Sequence, residues 1–290
     1  MAIFSWRKRK NPSRREGQEA EMSFFEHLEE LRWHLMRIVI AIIAIGVVLF
    51  IYRQEVIGGV FMTPFKGDFP TFRFLCNYIS PQFCNVEIPV SIQAISPYEQ
   101  FMRAMGYSFF GGIIVAFPYI TWELWRFIRP ALSRKERRKV RWNVMTTSLL
   151  FFVGVFFGYF ILLPISIQFL SNFELFAEAE NIWRIGDVIN FEMLLLFGTG
   201  LLFQLPVVTY YLSKLGLLTP QFLKRYRRHA IVVLLLLAAL ITPPDPFTQI
   251  VIFLPLITLY QIGIGISRRV YRRKEREELA ERKAIQNAKA

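Results

Sequence analysis

Phe127-Ile128-Arg129-Pro130-Ala131-Leu132-Ser133-Arg134-Lys135-Glu136-Arg137-Arg138 is a short basic segment between two long apolar runs. Pro130 has no N–H and stops the incoming helix, while Ser133 with Glu136 three residues later reads as a capping box that opens the outgoing one. The stretch is therefore the loop of a helical hairpin whose arms are too apolar for water. Glu136 is the only acid in it. The capping box accounts for part of that residue, and a carboxylate among arginines and lysines at a membrane surface leaves an external cationic partner as the other account.

Outward from the hairpin, the 290 residues are 54% hydrophobic and 16% aromatic, and the apolar residues are gathered into blocks. That pattern identifies a polytopic membrane protein. The formal charge of +13 does not indicate nucleic acid as a partner. The Lys and Arg residues flank apolar runs, with no zinc-spaced Cys and His, helix-turn-helix or RNA-binding sheet signature. They also set orientation. Lys plus Arg number seven in residues 1–33, seven in 129–142, five in 214–228 and nine from 268 onward, against three in 53–95, one in 165–190 and none in 242–249. By the positive-inside rule the chain has six membrane-crossing helices with both termini in the cytoplasm. The first apolar run begins near Leu35 without cleavage-site chemistry after it, so that helix is expected to remain in the mature protein.

Residues 1–21 are basic and aperiodic and are expected to form a disordered cytoplasmic tail. A six-helix domain is expected over 22–268, and a charged cytoplasmic tail over 269–290. Ser23 with Glu26 caps the first helix, in which Phe24, Leu28, Leu31, Leu35 and Ile38 form one apolar face with His27, Glu30 and His34 off it. Residues 53–95 read as a structured outer loop. Ser96-Pro97-Tyr98-Glu99 opens a second helix running to about Ile128, ~48 Å at 1.5 Å per residue. The third helix is expected from about Arg134 to beyond Leu163, bending at Pro164, and the fourth from about Phe191 to Leu215, closed by Gly216. Thr219-Pro220 starts the fifth. The last two apolar runs, 230–241 and 250–266, are short for a bilayer and predict local thinning or tilt. The fold class is all-α, with helices five and six short.

Cys76 and Cys84 both fall in the outer loop. An oxidising compartment favours a disulfide there, worth ~2–3 kcal/mol for so short a loop in the chain-entropy model. The spacing also accommodates two free, buried thiols. No catalytic, metal or cofactor constellation appears, so an enzyme is not expected. Ionisable residues deep in several helices, which would mark a secondary transporter for a small solute, are not evident either. Gln204 is the clearest deep polar side chain. Lipid satisfies none of its hydrogen-bonding groups, so it is expected to face the concave side of the bundle. Glu30 and Glu136 are acids on a cationic membrane face. Local partners account for each, His34 at i+4 on a solvated face and the capping box respectively, while together they could bind a cationic peptide through forked, charge-assisted bonds.

Four motifs in order, His27-Leu28-Glu29-Glu30-Leu31-Arg32, Ser96-Pro97-Tyr98-Glu99-Gln100-Phe101, Phe127 to Leu132 with Glu136-Arg137-Arg138, and Thr242-Pro243-Pro244-Asp245, resemble those of the TatC family, the multi-spanning core of the twin-arginine protein translocase. The resemblance covers residues 22–268. It implies a curved, cupped bundle in a bacterial inner membrane that receives signal peptides bearing two consecutive arginines. It also implies work with small single-span TatA/TatB-type partners, in a complex holding several copies of the chain, to export folded proteins using the proton-motive force. By the same resemblance Glu30 and Glu136 form the signal-peptide site, with Phe127, Arg137 and Arg138 nearby, while Arg32, Pro64 and Asp245 match other functional positions. Many relatives carry Glu on the fourth helix where this chain has Gln204. A role needing charge is not carried over. Gln204 is expected either to bond a neighbouring helix of the same chain or to dock a polar side chain on a partner's helix.

Overall fold

The computed structural model describes residues 24–78, 88, 90–128, 140–173, 182–241 and 246–289. In lipid every backbone polar group must be satisfied within the chain, so long apolar runs without internal breakers become helices. The first, α1 (Phe24–Ile51), is followed by α2 (Arg53–Phe61), a 3-10 turn at Thr63–Phe65 and α3 (Pro70–Tyr78). Helix α4 (Glu99–Ile128) runs antiparallel to α1, with Phe50 against Phe101 at one end and His34 against Glu123 at the other. Midway, a Cβ on Gly112 would lie 2.8 Å from the Ile42 carbonyl and 3.1 Å from Gly46 N, so the two backbones touch where only glycine fits. Of the apolar face of α1, only Ile38 among the described residues is buried. Leu28, Leu31 and Leu35 are exposed while His34 is 5% exposed, because for a membrane helix the outside is lipid and the polar groups go inward. Glu99 Oε2 accepts from the N–H groups of Ile95 (2.9 Å) and Ser96 (3.4 Å), which starts α4 after the Ser96 turn.

Helix α5 (Val140–Phe157) passes through a π-helical segment, Gly158–Leu162, into α6 (Leu163–Asn172). The distortion precedes Pro164 by a turn instead of bending the helix at it. Proline has no N–H to offer the carbonyl four residues back and its ring crowds it. That carbonyl, on Phe160, accepts instead from the Thr71 hydroxyl of α3.

The expected fourth helix is two. Helix α7 (Ile185–Leu202) begins about six residues early, and α8 (Leu205–Lys214) follows a break at Phe203 and Gln204. Pro206 lies just inside α8 and takes no helical bond, so the chain turns through Phe203 N–H to Thr199 O (3.0 Å) and Gln204 N–H to Leu201 O (2.9 Å). Gly216 ends α8 with φ +82, its N–H on Ser213 O at 3.1 Å, as its sequence position predicts. Thr219 caps α9 (Pro220–Arg225) by accepting from Phe222 N–H at 3.1 Å. Helix α10 (Arg227–Ile241) has 15 residues, ~22 Å of rise against a ~30 Å hydrocarbon core. The last helix, α11 (Pro246–Lys289), has 44 residues and runs unbroken through Pro255 into the segment expected as a charged tail.

Among the described residues five segments are long and apolar enough to cross a membrane, namely Leu28–Ile51, Glu99–Ile128, Arg141–Asn172, Ile185–Lys214 and Thr248–Asn287. Among the described residues the fold departs from all-α at one point, where β1 (Ser91–Gln93) and β2 (Ile182–Arg184) pair in parallel. Two connecting segments lie side by side there and satisfy each other's backbone groups. The largest buried core joins the π segment, α7, α10 and α11 through Leu162, Leu195, Leu202, Ala238, Ile252 and Leu256. Phe117 stacks on Phe151 at 3.6 Å to tie α4 to α5.

Candidate functional site

Where α1 starts and α4 ends, Glu29, Glu30, Trp33, His34, Arg37 and Arg126 line a cavity of about 380 Å³. One turn of α1 separates Glu30 from His34, and their side chains meet at 3.9 Å between Oε1 and Nε2. Glu30 Oε2 is shielded and has no hydrogen-bond partner among the described residues. Behind His34 lies Glu123, 2% exposed. Its carboxylate accepts from His34 Nδ1–H and from the Tyr119 hydroxyl. The guanidinium groups of Arg37 and Arg126 each stand 4.0 Å from a Glu123 oxygen. The half-buried Phe127 presents its ring edge-on to His34, centroids 6.1 Å apart.

The site thus holds Glu30 and Phe127 together. His34 is inside the seam and not on the solvated face the sequence allowed. Arg32 is exposed on α1. Pro64 is buried in the 3-10 turn at the opposite end of the bundle. Glu136, Arg137, Arg138 and Asp245 lie outside the described residues. Cys76, in α3, is disulfide-bonded, and Cys84, the chain's one other cysteine, lies outside the described residues. Gln204 Nε2 donates to the Thr147 carbonyl of α5 at 3.2 Å, and its Oε1 is shielded without a partner among the described residues.

Two buried acids were missed in the sequence. Glu123 stands alone in Tyr119-Ile120-Thr121-Trp122-Glu123-Leu124-Trp125, an acid that an apolar helix keeps only with a partner. Glu192, 0% exposed, accepts from the Tyr107 hydroxyl at 3.1 Å within the bundle. It is a deep ionisable group where Gln204 was the clearest polar one expected. Near it, Glu99 faces Arg184 at 3.7 Å and Arg103 donates to Asn190 Oδ1 at 2.7 Å, fixing α4 against the start of α7.

A multi-helix membrane protein with a carboxylate-bearing cavity at one end of its first two long helices is the class these features define. The chain belongs to the TatC family: residues 26–255 match the Sec-independent protein translocase protein (TatC). It is similar to the Sec-independent protein translocase protein TatC of Blattabacterium sp. subsp. Periplaneta americana, 38% identical over 266 residues that cover 89% of this chain and 99% of that protein. Similarity to TatCy of Bacillus subtilis is 32% over 262 residues, covering 90% and 95%. A crystal structure of a twin-arginine translocase receptor, TatC, aligns with a TM-score of 0.67 at 31% identity, covering 85% of this chain and all of that one. This chain is accordingly a membrane component of a protein translocase, neither an enzyme nor a carrier of small solutes.

Proposed function

We propose that this chain is the receptor of a twin-arginine translocase. In this reading it takes the arginine pair of a signal peptide into the cavity between α1 and α4. The observation that carries the reading is the Oε2 of Glu30 beside that cavity, which has no partner among the described residues. A shielded carboxylate oxygen without a donor is costly, and a guanidinium supplies two parallel N–H donors matched to both oxygens. Glu136, Arg137 and Arg138, in the segment that follows α4, complete the site, with Phe127 beside it. Gln204 is the docking point for a polar side chain on a small single-span TatA/TatB-type partner, and Arg32, Pro64 and Asp245 serve assembly or structure. The complex contains more than one copy of the chain. It sits in a bacterial inner membrane with the cavity and both termini on the cytoplasmic side, and it moves folded proteins outward at the expense of the proton-motive force.

Photocrosslinking groups at positions 30 and 136 test the reading. A signal peptide with Arg-Arg is expected to crosslink at both, and the same peptide with Lys-Lys is expected to do so far less. Equal crosslinking of the two peptides would overturn it.

A further inference from the structure

Arg37 and Arg126 line the cavity with Glu30, yet Glu30 Oε2 has no partner among the described residues. Both arginines are half-exposed, on flexible stems that could reach a neighbouring carboxylate. What engages them is Glu123, at 4.0 Å from each. Glu123 is not part of the cavity wall and is 2% exposed, so a peptide in the cavity would not touch it. It also accepts from His34 Nδ1–H. An imidazole with Nδ1–H committed to a carboxylate has its tautomer and ring plane fixed, leaving only Nε2 to face Glu30. The edge-on Phe127 ring limits rotation of the imidazole from the other side.

We infer that Glu123 is a positioning residue of the peptide site: it holds Arg37 and Arg126 off Glu30 and fixes His34 beside it, so that Glu30 stays open to an incoming guanidinium. The inference rests on reading Glu30 as the acceptor for a peptide arginine. Its physical content is competition. Without the Glu123 charge, two resident guanidinium groups and an unanchored imidazole are released next to a carboxylate that needs donors. A forked guanidinium from the peptide then competes with identical groups already in place, and the advantage of arginine over lysine shrinks.

The experiment measures affinity of the full-length protein in lipid nanodiscs for Arg-Arg and Lys-Lys signal peptides. In Glu123→Gln, which keeps shape and hydrogen bonding, Arg-Arg affinity is expected to fall about tenfold, the scale of one charge-assisted bond. The Arg-to-Lys preference narrows with it. Adding Arg37→Gln and Arg126→Gln to that variant is expected to restore affinity and preference, which a merely structural role of Glu123 would not allow. In a Glu30→Gln background, Glu123→Gln is expected to change affinity less than about twofold, since non-interacting effects would instead add. Additive losses, or an Arg-to-Lys preference untouched by Glu123→Gln, would overturn the inference. Where Glu123→Gln fails to fold, His34→Gln serves as the second variant: a narrowed preference supports the inference and an unchanged one overturns it. Wild type without any preference for Arg-Arg would sink the receptor reading itself, whereas preference in wild type with no response in the variants sinks this inference alone.

Discussion

Glu136 is subject to two demands that substitutions can separate. As the fourth residue of Ser133-Arg134-Lys135-Glu136 it offers a capping acceptor, and as a carboxylate it offers a charge. Glu136→Ala removes both and is expected to weaken signal-peptide binding about tenfold or more, given ~1.5–3 kcal/mol for a hydrogen bond to a charged group. Glu136→Gln keeps the acceptor and loses the charge, so full binding in that variant would assign the residue to the cap. Gln204 poses the parallel question in the bilayer. Its amide spends a donor on the Thr147 carbonyl, and its Oε1 has no partner among the described residues. That oxygen is the atom a donor on a partner helix would take, in a contact of only ~0.6–2 kcal/mol that can form and release. Gln204→Leu is expected to leave peptide binding within about twofold, far less than one charge-assisted bond, while partner crosslinking and export fall. Lost peptide binding with normal partner crosslinking would reverse the assignment. Glu30, Phe127 and Gln204 were legible because a local motif or an apolar context marks each. The His34–Glu123 and Tyr107–Glu192 pairs were not, since their members are 89 and 85 residues apart and only the packing of α4 against α1 and α7 brings them together.

At the scale of elements, apolar block length was enough to place the long helices, because lipid leaves the backbone no alternative. Their breaks were less legible. Pro164 and Pro206 both signal an interruption, but where the chain absorbs it depends on who accepts the orphaned carbonyl. Near Pro206 the chain resolves it internally, through the turn at Phe203 and Gln204. Near Pro164 a π segment forms and the Phe160 carbonyl goes to Thr71, 89 residues away in sequence. This pairing makes a double-mutant prediction. Thr71→Val strands the carbonyl and is expected to cost about 1 kcal/mol or more of stability, read as a lower melting temperature of the purified protein. Pro164→Ala restores a backbone N–H to position 164, and Thr71→Val in that background is expected to be nearly neutral. Equal losses in the two backgrounds would show that the hydroxyl contributes through something other than the proline-freed carbonyl.

For the whole molecule, the decisive unknown is which end of the bundle faces the cytoplasm, and charge and geometry bear on it separately. The contacts of α1 with α4, α4 with α5 and α5 with α7 are each antiparallel, as Phe50–Phe101 with His34–Glu123, Phe117–Phe151 with Trp125–Val144, and Gly158–Leu196 with Phe151–Gly200 place them. Residues 28–37 and 126–128 therefore share one end with Tyr211, and residues 53–78 and 182–190 share the other. The Lys and Arg clusters follow the same division in the sequence, so the positive-inside rule predicts an orientation with the basic end inside. Single cysteines placed in a Cys-free background make this measurable with a membrane-impermeant thiol reagent on intact cells. Positions near 60 and 178 are expected to label from outside, and positions near 135 and 221 only after the membrane is opened. Position 245 is a special case. It lies between α10, with ~22 Å of rise, and α11, and a helix that short is expected to thin the bilayer or to leave its end short of the headgroups. Labelling at 245 is therefore expected to be outward but slow, and to quicken in bilayers of shorter acyl chains while labelling near 60 stays unchanged. Outward labelling at 135 would invert the orientation and remove the cavity from the compartment in which signal peptides are made. A rate at 245 indifferent to bilayer thickness would instead leave the orientation standing and show that α10 does not set the local membrane thickness.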